Sequence, residues 1–138
     1  MNGDIPFKVM IVDDDKFLLN MYSIKFTNNR FDVTLAGNGL VAVTKLKDGY
    51  EPDVILLDVV MPVMDGIEAL NAIRVDGLAK RAAIMMLSNQ GQPSDIEKAK
   101  SLGVDGYIVK ATSIPSEIVT EVFALLERTK DRRVGVSI

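Results

Sequence analysis

The sequence predicts an α/β protein with a doubly wound sheet, in which helices cover both faces of five parallel strands. Short apolar runs alternate five times with segments of helical periodicity, and only short connections join them. The chain has 138 residues, of which 48% are hydrophobic and 25% charged, as in an ordinary globular domain. We therefore expect one domain over residues 5–130 and a C-terminal tail over residues 131–138, in which Arg132 and Arg133 are interpreted as solvated charges.

The five strands are predicted from their apolar runs. Most of these runs are nearly continuous, which is typical of strands buried on both faces of a sheet. The second run alternates apolar with polar or small residues, and this pattern predicts a strand at the edge of the sheet. The strands are expected at Phe7–Val12, Phe31–Ala36, Val54–Leu57, Ala83–Leu87 and Gly106–Val109.

The helices are predicted from the spacing of apolar residues and from polar residues that can cap a helix. In the first helix, the apolar positions with helical spacing are Phe17, Leu18, Met21 and Ile24. The later helices are expected to begin at side chains that accept hydrogen bonds from the first turn. These predicted caps are Asn38, Asp65 with Glu68, Ser94 with Glu97, and Ser113.

Composition excludes several chemistries. The chain has no cysteine and no histidine, so it carries no disulfide, no reactive thiol and no imidazole base or zinc ligand. Its formal net charge of −3 does not favour binding to nucleic acid or to an anionic membrane. No apolar run approaches the ~20 residues of a membrane-spanning helix, and the N-terminal MNGDIPFK lacks the features of a signal peptide. We expect a cytoplasmic protein.

Polar residues follow four of the predicted strands. Asp13 and Asp14 follow the first strand, Asp58 the third, Ser88 the fourth and Lys110 the fifth. Because the carboxyl ends of parallel strands lie on one edge of a sheet, these side chains are expected to converge there.

The crowded carboxylates of Asp13, Asp14 and Asp58 repel one another, so each needs a proton or a cation. A hard divalent ion such as Mg²⁺ suits a site made only of oxygen ligands. A carboxylate bound to such an ion can act as a nucleophile towards phosphorus, with Lys110 and Ser88 holding the phosphoryl oxygens. These residues therefore predict a switch based on a phosphorylated aspartate.

Four motifs make the chain resemble the response-regulator receiver domains of two-component signalling. The motifs are VMIVDDD, VILLDVVMPVMDG, IMMLSNQ and GYIVK, and they occur in the family's order and spacing. The resemblance covers about residues 5–130. It implies a flavodoxin-like fold with strand order 2-1-3-4-5, and a signalling switch that catalyses no reaction beyond its own phosphorylation and dephosphorylation.

The resemblance also assigns roles at the acidic site. It implies that Asp58 accepts a phosphoryl group from a histidine kinase or a phosphotransfer protein. It implies that Mg²⁺, or Mn²⁺ in its place, is held by Asp14, Asp58 and the backbone carbonyl of Val60, with Asp13 acting largely through water.

The resemblance implies that further residues bind the phosphoryl group and respond to it. Ser88, Lys110 and the backbone amide of Asn89 would bind it, and Ser88 and Tyr107 would shift together. The shift would alter the face built from helix 4, strand 5 and helix 5, which would bind a downstream protein or a second copy of the chain.

One departure from the family concerns the residue after the lysine. Ala111 stands where the family usually has a proline joined by a cis bond. A cis bond before alanine costs about 2.5–4 kcal/mol, against about 0.5–1 kcal/mol before proline. We therefore expect a trans Lys110–Ala111 bond, the alternative being a cis bond whose strain is borne by the surrounding fold. In either case Lys110 is expected to reach Asp58, because its side chain is long and flexible.

Two other function classes match fragments of the sequence. Gly37-x-Gly39-x-x-Ala42 follows a predicted strand and has the form of a dinucleotide-binding turn, although nothing completes an oxidoreductase. Asp13-x-Asp15 resembles the start of a metal-dependent phosphatase of the haloacid dehalogenase type. That class needs a further acidic pair and usually a cap insertion, which the sequence does not offer.

Overall fold

The computed structural model describes residues 5–88, 93–110 and 113–133. Within these ranges strands and helices alternate along the chain, as the sequence predicts. The strands are β1 Lys8–Val12, β2 Asp32–Ala36, β3 Val54–Asp58, β4 Ala83–Ser88 and β5 Gly106–Val109. The helices are α1 Lys16–Asn28, α2 Gly39–Lys47, α3 Gly66–Val75, α4 Pro93–Ser101 and α5 Pro115–Arg128, and a short 3₁₀ turn follows at Lys130–Arg132.

The strands form one parallel sheet in the order β2-β1-β3-β4-β5, which confirms the predicted fold class and strand order. Strand β2 lies at the edge, as its alternating pattern predicts. In the central strands Val12 lies opposite Leu57, and Asp58 lies opposite Leu87. This register aligns the carboxyl ends of β1, β3 and β4, so the polar residues found there share one edge of the sheet.

The two faces of the sheet bury two separate apolar clusters. Helices α1 and α5 cover one face, and α2, α3 and α4 cover the other. Successive residues of a strand point to opposite faces, so Ile11 packs towards α1 and α5 while Val12 packs towards α2 and α3. Because both faces are covered, the inner strands are apolar along nearly their whole length, and a polar side chain reaches solvent only at their ends.

Side-chain caps fix the beginnings of three helices. Asp15 caps α1, Asn38 caps α2, and Asp65 caps α3 in a reciprocal capping box with Glu68. The caps predicted at Asn38 and Asp65 are thereby confirmed.

The predicted cap at Ser113 is wrong, because the residue in the cap position of α5 is Ile114, whose amide donates to the Glu117 side chain at 3.0 Å. The predicted cap at Ser94 is also wrong, because Ser94 lies inside α4, one residue after its start. A serine caps a helix only where its backbone is extended, and composition alone does not fix that conformation.

Helix α1 presents a different face to the core from the one its apolar residues suggest. Phe17 is 74% exposed and Ile24 is 55% exposed, while Tyr22 and Phe26 are buried. The apolar spacing that predicts the helix therefore does not identify its buried side. Apolar residues lie on all sides of α1, so its sequence gives only a weak indication of the buried side.

The two arginines after α5 are held by the fold. The Arg132 guanidinium donates to both carboxylate oxygens of Asp105, at 2.9 and 2.6 Å. The Arg133 side chain is 10% exposed and donates to the Thr129 hydroxyl at 3.1 Å. Their interpretation as solvated charges is therefore wrong, since the chain after α5 packs near Asp105 at the amino-terminal end of β5. Within the described ranges, no helix combines the length and the hydropathy that crossing a bilayer requires.

Candidate functional site

The ammonium of Lys110 lies between two buried carboxylates at the carboxyl edge of the sheet. Its Nζ is 2.9 Å from Oδ2 of Asp13 and 3.1 Å from Oδ1 of Asp58. All three side chains are at most 6% exposed. The structure therefore brings Lys110 to Asp58, as the sequence predicts.

Each of these side chains is positioned by the end of a strand. Asp58 is the last residue of β3, Asp13 follows β1 directly, and Lys110 follows β5 directly. The backbone of Asp13 is fixed by a hydrogen bond from its amide to the carbonyl of Ala36 at 3.1 Å. Its other carboxylate oxygen, Oδ1, accepts from the amide of Asp15 at 3.0 Å. Both oxygens of Asp13 are thus already engaged within the protein.

Asp14 completes the acidic cluster and is exposed to solvent. Among the described residues, Asp13, Asp14 and Asp58 each offer a carboxylate oxygen, and these oxygens lie within 4.8 Å of one another. The cluster therefore has a closed side, formed by Asp13 and Lys110, and an open side at Asp14.

The loop from β3 to α3, which begins after Asp58, contains a strained turn. Val63 has a φ of 69°, an unusual value for a β-branched residue. The amide of Met64 donates to the carbonyl of Pro62 at 2.7 Å, which closes a tight three-residue turn around Val63. The carbonyl of Met64 in turn accepts from the Gly39 amide at 3.1 Å and so ties the loop to the start of α2. Val60, two residues after Asp58, lies on this loop and is 74% exposed.

Gly66 has a role that the sequence analysis missed. A Cβ at this position would lie 2.0 Å from the backbone carbonyl oxygen of Asp58. The Gly66 amide also donates to the carbonyl of Val59 at 2.8 Å. Glycine is therefore needed for α3 to begin against the backbone that carries Asp58. The signal in the sequence was a glycine at the first position of a helix, where a better helix former is expected.

The remaining predicted residues lie on β4 and β5. Ser88 is the last residue of β4 and is buried, and Val109 lies opposite it, one residue before Lys110. Tyr107 packs against the cluster beneath α2, α3 and α4, and its buried hydroxyl has no hydrogen-bond partner among the described residues. The predictions for the Asn89 amide and for the Lys110–Ala111 bond lie outside the described residues.

Burial and neighbouring charge act together on Asp58. The pKa of Asp58 is raised from 3.8 to about 6. Loss of solvation is the main cause, repulsion from Asp13 adds to it, and Lys110 opposes it. Burial alone would lower the pKa of Lys110, but its hydrogen bond to Asp13 and the charge of Asp58 hold that pKa above its usual value. Lys110 therefore stays protonated, while its charge only partly offsets the effect of burial on Asp58.

The donor set fits a divalent metal ion. Three ionised carboxylates and one ammonium leave a net charge of −2 at the site. The ligand atoms are all oxygens, which Mg²⁺ prefers. One ammonium cannot balance three carboxylates, so the site can accept a cation.

The fold and the site together define an α/β signalling module that carries an acidic pocket at the carboxyl edge of its sheet. The family model described as the response regulator receiver domain matches residues 9–123. The chain belongs to this family. It is a phosphorylation-dependent switch of two-component signalling, a regulator rather than an enzyme in the usual sense.

The chain is similar to several known proteins. It is 37% identical over 110 residues to the chemotaxis protein CheY of Halobacterium salinarum, covering 79% of this chain and 88% of that protein. It is 33% identical over 124 residues to the DNA-binding response regulator MtrA of Mycobacterium tuberculosis, covering 90% of this chain but only 52% of MtrA. The chain thus spans about half the length of MtrA. A solved CheX–CheY–BeF₃–Mg complex from Borrelia burgdorferi superposes with a TM-score of 0.80 and 32% identity, covering 91% of this chain and 94% of that chain.

The two alternative function classes are not supported, and the structure explains the residues that suggested them. A Cβ at Gly39 would lie 2.6 Å from the Met64 carbonyl oxygen, so this glycine permits a close approach of the backbone. The Asp15 carboxylate accepts hydrogen bonds from the amides of Phe17 and Leu18, and therefore serves as the cap of α1.

The raised pKa of Asp58 predicts a pH-dependent stability in metal-free solution. Asp58 holds its proton more tightly in the folded state, so its ionisation lowers the free energy of unfolding as the pH rises from 3.8 towards about 6. Asp58→Asn removes this effect. We expect the stability of the Asn variant relative to the unsubstituted chain to increase by about 2 kcal/mol between about pH 4.5 and 7.5. Urea unfolding at several pH values measures it.

Asp76→Asn is the matched control, because the Asp76 side chain is 43% exposed and pairs with the exposed Lys47. We expect its stability relative to the unsubstituted chain to vary little over the same pH range. A pH-independent difference for Asp58→Asn would show that the charge of Asp58 is already compensated.

Proposed function

We propose that Asp58 is the phosphoacceptor and that Lys110 and Ser88 bind the transferred phosphoryl group. The observation that carries this proposal is the contact of Lys110 with Asp58 at 3.1 Å, beside the oxygens of Asp13 and Asp14. A buried carboxylate next to a fixed ammonium is well placed for transfer of an anionic group, because the ammonium offsets charge on the incoming phosphoryl oxygens.

The proposed reaction is a displacement at phosphorus. A carboxylate oxygen of Asp58 forms a bond to phosphorus while the bond from phosphorus to the donor's imidazole nitrogen breaks, and the imidazole takes up a proton. When acetyl phosphate is the donor, the broken bond is from phosphorus to oxygen, and acetate leaves. Lys110 holds its proton throughout, because the neighbouring carboxylates keep its pKa above the usual value. Transfer of the phosphoryl group from Asp58 to water ends the signal, so the chain catalyses only its own phosphorylation and dephosphorylation.

We propose Mg²⁺ as the cofactor, with Mn²⁺ as a substitute. Asp14, Asp58 and the backbone carbonyl of Val60 would hold the ion, and Asp13 would contact it largely through water. The engagement of both Asp13 oxygens, by Lys110 and by the Asp15 amide, supports this indirect role. When bound, the ion neutralises negative charge that develops on the phosphoryl oxygens.

The output of the switch is proposed to be the face formed by α4, β5 and α5. Ser88 ends β4 at the site, and Tyr107 lies on the adjacent strand, with its hydroxyl buried and unpaired among the described residues. A buried hydroxyl without a partner is unfavourable, so a change at Ser88 that opens another position for Tyr107 meets little resistance. The backbone amide of Asn89 is proposed as a further phosphoryl donor.

The proposed partners act at the two ends of this signal. A histidine kinase or a phosphotransfer protein supplies the phosphoryl group, and a downstream protein or a second copy of the chain binds the output face. We propose that this takes place in the cytoplasm, without direct contact to nucleic acid or membrane. Residues 5–130 would form the receiver domain and residues 131–138 its C-terminal tail.

Asp58→Asn is expected to abolish phosphorylation. With acetyl phosphate and Mg²⁺, the unsubstituted chain should gain one phosphoryl group, which intact-protein mass spectrometry in the cold detects. The Asn variant should gain none, because an amide oxygen is a poor nucleophile. The exposed Asp76→Asn variant is the control and should be labelled as fully as the unsubstituted chain. Full labelling of Asp58→Asn would refute the assignment.

Mg²⁺ is expected to stabilise the fold, because it binds the folded carboxylate cluster and not the unfolded chain. When the Mg²⁺ concentration is about ten times its dissociation constant, the free energy of unfolding should rise by roughly 1.4 kcal/mol and the melting temperature by about 5 °C.

Asp13→Asn keeps an acceptor for the Asp15 amide and removes one negative charge. We expect it to raise the melting temperature without metal and to reduce the shift that Mg²⁺ produces. Thermal scans with Mg²⁺ and with a chelator measure both effects, and a melting temperature that Mg²⁺ leaves unmoved would count against a metal site.

A further inference from the structure

Helix α4 is attached to the rest of the protein mainly at its C-terminal end. Of its residues, only Ala99 is buried, and Pro93 and Ser94 at its start are exposed. The residues that follow it, Leu102 and Val104, pack against the core. Helix α3, by contrast, buries several side chains along its length. The two ends of α4 therefore differ in how firmly they are held.

The C-terminal end of α4 closes in a well-formed motif. Gly103 has a φ of 77°, its amide donates to the carbonyl of Lys100 at 3.0 Å, and the Val104 amide donates to the carbonyl of Ala99 at 3.1 Å. This is the hydrogen-bond pattern of a Schellman motif. The carbonyls of Leu102 and Gly103 lie beyond the acceptors that the motif uses.

Arg74, in the last turn of α3, binds these two carbonyls. Its Nε donates to the carbonyl of Leu102 at 2.9 Å, and its Nη2 donates to the carbonyl of Gly103 at 2.8 Å. The planar guanidinium suits two adjacent acceptors, and its positive charge complements the negative end of the helix dipole of α4. Arg74 thus joins the end of α4 to the firmly packed helix α3.

A second contact fixes the start of β5, directly after this motif. Asp105 exchanges hydrogen bonds with the backbone of Ile84 at 2.9 and 2.8 Å and also binds Arg132. The turn between α4 and β5 is therefore held from both sides, by Arg74 on α3 and by Arg132 after α5. The amino-terminal half of α4 shows no comparable attachment among the described residues.

We propose that Arg74 anchors the C-terminal end of α4 as the fixed end of a hinge, so that phosphorylation moves the amino-terminal half of the helix. This proposal rests on the proposed function, since the movement starts at Asp58 and Ser88. Arg74 is a positioning residue for the output face and takes no part in the phosphoryl transfer, because its hydrogen bonds to described residues lie at the end of α4 away from Asp58.

Amide hydrogen exchange of the full chain, followed by peptide mass spectrometry, tests the anchor. Peptides covering residues 99–104 report the C-terminal turn, and peptides covering residues 93–98 report the amino-terminal half. We expect Arg74→Gln to raise the exchange rate of residues 99–104 about tenfold, because charged hydrogen bonds to two carbonyls are lost. Arg74→Lys, which keeps the charge but not the planar fork, should raise it about threefold.

The hinge is tested by adding beryllium fluoride with Mg²⁺ as a stable phosphoryl analogue. In the unsubstituted chain we expect exchange to change in residues 93–98 and to stay constant in residues 99–104. In Arg74→Gln the change should extend into residues 99–104. Arg30→Gln, an exposed arginine at the end of α1, is the matched control and should behave as the unsubstituted chain.

The outcomes separate this proposal from the proposed function. Unchanged exchange of residues 99–104 in both Arg74 variants overturns the anchor, whether or not Asp58 is phosphorylated. Equal changes in both halves of α4 in the unsubstituted chain overturn the hinge. If acetyl phosphate labels Asp58 but beryllium fluoride leaves the exchange of residues 93–98 unchanged, the hinge is overturned. If the chain is not labelled and its exchange does not change, the proposed function is overturned as well. If Arg74→Gln does not fold, the exchange rate of residues 99–104 in Arg74→Lys tests the anchor instead.

Discussion

The contact of one ammonium with two carboxylates determines what the carboxyl edge of this sheet can do. Lys110 comes from the end of β5, Asp13 from the end of β1 and Asp58 from the end of β3, so their contacts exist only when three separate strands are in register. The lysine draws the carboxylates together but does not neutralise them, and the pKa of Asp58 stays raised. The cluster is therefore held in place while still attracting a cation.

The fold supports this site by covering everything except the ends of the strands. Helices on both faces bury the strands along their length, which leaves the rim as the place where a strand can present a polar side chain. Gly66 allows α3 to start against the backbone of Asp58, and the Met64 carbonyl, just after the strained Val63, ties the β3–α3 loop to α2. The Arg74 anchor lies at the opposite end of α4, so the chemistry at Asp58 and the attachment of the output helix involve separate residues.

The fold, and the convergence of Asp13, Asp58 and Lys110, could be predicted from the sequence because a strand buried on both faces ends where its first polar residue appears. Since parallel strands have their carboxyl ends at the same edge, these first polar residues meet there. Prediction from the sequence failed for features that depend on contacts distant in sequence. The buried side of α1 is set by packing against α5 and not by its own periodicity. The cap of α5 depended on the local backbone, which Ser113 alone does not specify.

We propose that Asp58, and no other carboxylate of the cluster, carries the phosphoryl group. Borohydride reduces an aspartyl phosphate to homoserine, so trapping after incubation with acetyl phosphate and Mg²⁺, followed by peptide mass spectrometry, locates the modified residue directly. We expect homoserine at position 58 alone. Homoserine at position 13 or 14, or none at all, would contradict it.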